Sequence, residues 1–143
     1  MSNILPRRQA VDLFVDMIVR HVYRGTIDDM LVLLRRGPPG RAPDPNYVTL
    51  HTWFSSLDER NQALVTQSIQ QSVRASVFSM LTILDHVGGG PPLSTEISDF
   101  ALYLQVYEST EKQDDNVPQT LVRLNPVDAL EDMHDIFLEY IDE

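Results

Sequence analysis

Residues 58–107 decide the fold: DERNQALVTQSIQQSVRASVFSMLTILDHVGGGPP runs from Asp58 to Pro92, and LSTEISDFALYLQVY from Leu93 to Tyr107. In the first stretch Val65, Ile69, Val73, Val77, Met80, Leu81, Leu84 and Val87 form one apolar stripe at helical spacing. The spacing predicts a helix over 58–87, about 45 Å long at about 1.5 Å per residue. Gly88-Gly89-Gly90-Pro91-Pro92 ends it, because this run cannot continue a helix. The period then drops to two. Phe100, Leu102, Leu104 and Val106 alternate with Ala101, Tyr103, Gln105 and Tyr107, which predicts a strand over 97–107. Thr120, Val122 and Leu124 alternate again and predict a second strand over 118–124. The two make an antiparallel hairpin, and so short a sheet needs one face laid on helices.

Working back from the long helix, Asp44-Pro45 reads as an N-cap with proline at the first helical position, opening a helix over 45–55 with Tyr47, Leu50, Trp53 and Phe54 as candidate core. Residues 37–46 hold four prolines and two glycines and read as a loop. Val11, Phe14, Val15, Ile18 and Val22 give an amphipathic helix over 7–23, which Gly25 is expected to close. Thr26 is expected to cap a second helix over 26–36, with Asp28 and Asp29 in its first turn and Arg35 and Arg36 in its last. Working forward, Asn125-Pro126 opens a final helix over 127–141, with Leu130, Met133, Phe137, Tyr140 and Ile141 on its apolar face. The expected fold is α+β: a mostly helical single domain, 1–143, of four helices, a two-stranded antiparallel hairpin and a C-terminal helix.

Charge is unevenly distributed. Residues 1–84 carry nine basic and seven acidic side chains, and residues 85–143 carry two and fourteen. An acidic second half argues against direct contact with nucleic acid or anionic lipid, which need Lys and Arg. It suits a basic protein partner, or simple solubility. On the last helix Asp128, Asp132, Asp135, Glu139 and Asp142 fall on one side, with no Lys or Arg after Arg123 to pair with them. Glu111, Asp114 and Asp115 form a second acidic group in the hairpin loop. The candidate partner-binding residues are Asp128, Asp132, Asp135, Glu139, Glu111, Asp114 and Asp115, with Tyr103 and Tyr107 as apolar anchors.

Chemistry is signalled weakly. The chain has no cysteine, so thiolate chemistry is excluded. His21, His51, His86 and His134 lack metal-finger spacing, and one helix face cannot surround an ion, so no metal and no cofactor are expected. Asp85-His86 could form an acid–base pair, and Arg35, Arg36 and Arg41 flank a Gly-Pro-Pro-Gly segment, but neither has the context of a known catalytic motif. Ser68, Ser72, Ser76 and Ser79 lie on one side of the long helix, with no base signalled nearby. The N-terminus has no apolar run behind its arginines, and no stretch is long enough to span a membrane, so a cytoplasmic location is expected.

Several short segments carry a resemblance: His21-Val22-Tyr23-Arg24-Gly25-Thr26-Ile27, Gly37-Pro38-Pro39-Gly40, Trp53 ahead of Ser56-Leu57, Ser76-Val77-Phe78 ahead of Leu84-Asp85, Asp99-Phe100-Ala101-Leu102-Tyr103, and Leu130 with His134-Asp135-Ile136-Phe137. On these the chain resembles a poorly characterised family of small, helix-rich bacterial proteins. That resemblance implies the fold and no activity. By type it is also similar to bacterial toxin-immunity proteins. The expected function is a non-enzymatic acidic binding protein, an immunity protein that occludes the basic cleft of a cognate toxin. The alternatives are a phage-encoded inhibitor of a nucleic-acid-binding defence protein by charge mimicry, a small enzyme, or a homodimeric structural protein joined at the hairpin edge.

Overall fold

A computed structural model describes residues 5–85, 101–106, 120–126 and 130–142. In chain order it contains α1 (Arg7–Met17), a π-helical segment (Ile18–Arg24), α2 (Gly25–Arg36), α3 (Pro45–Ser56), α4 (Glu59–Leu84), β1 (Tyr103–Val106), β2 (Thr120–Arg123) and α5 (Met133–Asp142). This is the expected α+β order of four helices, an antiparallel two-stranded sheet and a C-terminal helix. No described helix is long and apolar enough to cross a membrane.

The ends of α3 and α4 follow local chemistry. The Asp44 carboxylate accepts the Asn46 N–H at 2.8 Å, with Pro45 at the first helical position. Asp58 accepts the Asn61 N–H at 2.8 Å at the start of α4. Such caps satisfy N–H groups that the first turn leaves without intrahelical partners. Gly37 ends α2 with φ of 79°, and its N–H donates to the Leu33 carbonyl at 2.9 Å. The His51 ring lies where a Cβ on Gly37 would come within 3.1 Å. Its Nδ1 donates to the Leu34 carbonyl at 2.8 Å, closing an open carbonyl at that helix end.

Several expected boundaries are corrected. The helices over 7–23 and 26–36 are one unbroken helical run, and Gly25 does not close the first of them. Instead the run widens into the π segment. Gly25 lies five residues after Arg20, the π spacing, and a Cβ there would stand 3.3 Å from the Arg20 carbonyl oxygen. The wider turn shifts the buried face: Val19 is buried, whereas Val22, expected in the stripe, is exposed. Residues 101–102 precede β1 rather than belonging to it, and α5 starts at Met133, so 130–132 of the expected 127–141 helix are not helical. Leu130 is therefore off the helix and fully exposed, against its expected place in the core. The expected segments at 86–87, 97–100, 107, 118–119 and 127–129 lie outside the described residues.

The chain divides into two compact units, 1–19 with 78–143, and 20–77. In the first, Val11, Val15, Leu81, Leu124, Met133, Ile136 and Phe137 are fully buried, and α1 packs on both α5 and β2. Burial of side chains of this size contributes about 1.5–3 kcal/mol each. The hairpin pairs Tyr103 with Arg123, Leu104 with Val122 and Gln105 with Leu121. Asn125, 1 % exposed, ties the hairpin to the end of α4: its Nδ2 donates to the Leu84 carbonyl at 2.6 Å, and its Oδ1 accepts the Leu102 N–H at 2.8 Å.

The second unit spans 20–77. Ile27, Leu34 and Phe54 are buried in it, while Trp53, Tyr47 and Leu50, expected in the core, stand 48 %, 43 % and 39 % exposed. Ser68, Ser72, Ser76 and Ser79 all face solvent, and Ser76 Oγ donates to the Ser72 carbonyl at 2.9 Å.

Candidate functional site

α1 supplies the basic partner that the end of the chain lacks. Arg8 Nε donates to Asp12 Oδ1 at 3.0 Å, Nη1 to Glu131 Oε1 at 2.8 Å and Nη2 to Glu139 Oε2 at 3.0 Å. One guanidinium thus joins three carboxylates from α1, α5 and the segment before α5. These contacts, those to Glu131 and Glu139 foremost, hold the Arg8 pKa far above its ordinary value. All four side chains are about a third to a half exposed or more, so each pair adds at most about 1 kcal/mol of stability. Next to it Arg7 is used differently. Its guanidinium donates to the Leu124 carbonyl at 3.1 and 2.8 Å and to the Glu131 carbonyl at 2.9 Å, fixing the chain that leads into α5.

The expectation of an acidic stripe without a basic partner is therefore corrected: Glu139 is paired with Arg8. Asp132 and Asp135 remain on this side of α5, with Asp135 64 % exposed. Glu131 and Asp12, which the sequence reading did not select, join the group through Arg8. Only a contact spanning more than 120 residues reveals this, so no helical spacing could signal it. Six carboxylates (Asp12, Glu131, Asp132, Asp135, Glu139 and Asp142) lie on α1, α5 and the approach to α5, with Arg8 as the cation bridging the two helices. Tyr103 stands on β1, 49 % exposed, on the hairpin rather than on α5. Asp128, Glu111, Asp114, Asp115 and Tyr107 lie outside the described residues.

A buried polar pair lies beneath the acidic face. Asp85, at the end of α4, accepts both the backbone N–H of His134 and its ring Nδ1 on the same Oδ2, each at 2.9 Å. The Asp85 side chain is 1 % exposed and that of His134 10 %. Asp85 thereby caps the first turn of α5, where the helix dipole favours a carboxylate. A carboxylate only accepts, so Nδ1 carries the proton. The edge of the Phe78 ring meets the imidazole at 5.3 Å between centroids. On the far side, His134 Nε2 lies 3.5 Å from Asp135 Oδ1, and Asp132 brings a third donor within 4.8 Å of these. His86, the neighbour with which Asp85 could form an acid–base pair, lies outside the described residues; the described partner of Asp85 is His134.

A second concave feature lies within 20–77. α2, α3 and α4 leave an open groove of about 710 Å³, lined by Met30, Leu34, Trp53, Leu64, Ile69 and Val73 among others. Among the described residues its lining is apolar apart from Thr26, Asn61, Ser68 and Ser72, with no charged side chain. Arg35 and Arg36 end α2 as helix-terminal cations, the role the dipole argument gives them.

None of the family models matches the chain, and neither does any curated protein or any solved structure. Function is therefore read from the geometry of these side chains.

Proposed function

We propose that this chain is a non-enzymatic acidic binding protein, and that the face formed by α1 and α5 docks on a basic surface of a partner protein. The observation that carries the reading is the Arg8 cluster, which fixes carboxylates from two helices side by side and leaves a large excess of negative charge. Such a surface gives orientation and a fast, salt-sensitive encounter more than raw affinity. The biological form we favour is toxin immunity, with a cognate toxin's basic cleft occluded by Asp132, Asp135 and Glu139. Charge mimicry of a nucleic acid is the second reading. It is favoured by Asp12, which adds a carboxylate from a second helix beside that of Glu139.

The test begins with capture of partners from the source organism at low salt, elution at high salt and identification by mass spectrometry. Association of the purified partner is then followed by surface plasmon resonance. Asp135→Lys with Glu139→Lys should slow association by roughly tenfold or more at low ionic strength, and the difference should shrink as salt rises. Asp28→Lys with Asp29→Lys on α2 is the control and should leave the rate nearly unchanged. Asp12 does not serve as a control, because it shares Arg8 with Glu139. Equal effects from the two double variants would sink the reading. Competition by duplex DNA for the partner would select charge mimicry over other forms of inhibition.

A further inference from the structure

We propose that Asp132, His134 and Asp135 form a binding site for one divalent transition-metal ion, with Asp85 as the buried carboxylate that orients the histidine. The site shares Asp132 and Asp135 with the proposed docking face, but the inference concerns a bound ion and is tested without a protein partner.

The argument starts from His134 Nε2. The residue is 8 % exposed, its Nδ1 proton is committed to Asp85, and Nε2 makes no hydrogen bond among the described residues. In the neutral ring Nε2 carries a lone pair, and it faces a carboxylate oxygen, Asp135 Oδ1, at 3.5 Å. Two acceptors set against each other repel unless a cation lies between them. A metal suits this gap well. With metal–nitrogen and metal–oxygen bonds of about 2.0–2.1 Å, tetrahedral ligands stand about 3.4 Å apart. Asp132 adds a third donor, and all three ligand atoms lie within 4.8 Å of one another. Asp135 is the exposed member, so solvent can complete the coordination.

Asp85 provides the independent support. A histidine that binds metal donates its other ring N–H to a carboxylate, which fixes the tautomer and aims the free nitrogen. Here that carboxylate is almost fully buried and comes from a different helix, 49 residues away. The positive end of the α5 dipole opposes a cation at this place. That is a partial charge only, set against full carboxylates at Asp132, Asp135 and Asp85. One imidazole with two carboxylates is a borderline donor set, which selects Zn²⁺ and its first-row neighbours over Ca²⁺ and Mg²⁺.

Zn²⁺ titrated by calorimetry into the purified, metal-stripped chain should bind at one per chain. Asp135→Asn, an exposed change that leaves the core intact, should weaken binding by about tenfold or more, and Asp132→Asn with Asp135→Asn should abolish the site. Asp28→Asn with Asp29→Asn should change nothing, and Mg²⁺ should give no saturable heat. Nitrogen-15 spectra of the imidazoles should show Zn²⁺ shifting His134 Nε2 while the Nδ1 proton stays in place. The proposal is overturned if Zn²⁺ binds equally well to the wild type and the Asp132/Asp135 double variant. It is equally overturned if one-to-one binding is absent or the Nε2 resonance does not move.

Discussion

Replacing Asp85 with alanine removes the one oxygen that accepts both His134 N–H groups. Both donors are then left in a site nearly closed to water, since the side chains are 1 % and 10 % exposed. Hydrogen bonds to a charged group contribute about 1.5–3 kcal/mol each, and two are lost together. Asp85→Ala should therefore lower stability by about 3–5 kcal/mol, a large part of the roughly 5–15 kcal/mol that holds a domain folded. Asp85→Asn keeps an acceptor oxygen and loses only the charge, so it should cost about 1–2 kcal/mol. Urea denaturation followed by far-UV circular dichroism measures both. Trp53 is the single tryptophan and belongs to the 20–77 unit, so its fluorescence follows that unit separately. The decisive measurement is a double-mutant cycle with His134→Ala. A coupling energy under about 0.5 kcal/mol, or equal losses from Asp85→Ala and Asp85→Asn, would refute the assignment of Asp85 as cap and partner.

Two further outcomes test other parts of the fold. Arg8→Met should cost about 1 kcal/mol or less by thermal denaturation, and the loss should shrink with added salt, because Asp12, Glu131 and Glu139 then repel one another unscreened. The raised Arg8 pKa sets the sign of its pH dependence: its contribution is complete below the ordinary arginine value and is lost only at still higher pH. No titration step from Arg8 should thus appear between neutral and mildly alkaline pH. Gly37→Ala should lower the melting temperature more than Gly40→Ala does. Both carry positive φ, which disfavours a Cβ, but only at Gly37 would that Cβ also press on a neighbour, the His51 ring at 3.1 Å. Equal shifts would show that the His51 contact does not matter.

The features legible in the sequence are those set by neighbouring residues. Asp44 before Pro45 acts within one helical turn and caps α3 as expected, and Asp58 ahead of α4 and Gly37 after α2 act over the same short range. The change of period after the Gly-Pro run likewise located the hairpin. What stayed hidden depends on distance or backbone shape. Apolar spacing assumes a regular α-helix, so a single widened turn was enough to exchange Val22 for Val19. For Asp85 adjacency suggests only its chain neighbour, His86. The partner of Asp85 in the structure lies on another helix. The carboxylate stripe was visible as spacing on α5, whereas the arginine that engages it stands near the opposite end of the sequence.

Asn125 and Asp85 also make two helix ends depend on distant parts of the chain. Leu84 and Asp85 are consecutive, and one accepts through its carbonyl from Asn125 while the other accepts from the first turn of α5. The end of one helix and the start of another are thus completed by residues 41 and 49 positions apart. A helix of ten residues is marginal in water, so α5 gains little by forming early. Bringing Asp85 and His134 together costs roughly 3.5 kcal/mol of chain entropy by the logarithmic loop law. α5 therefore depends on contacts from distant parts of the chain: the Asp85 cap, and Arg7 and Arg8 of α1, which hold the segment leading into it. Fraying at the end of α4 would release α5 with it, and the acidic face would lose its shape as one unit rather than residue by residue.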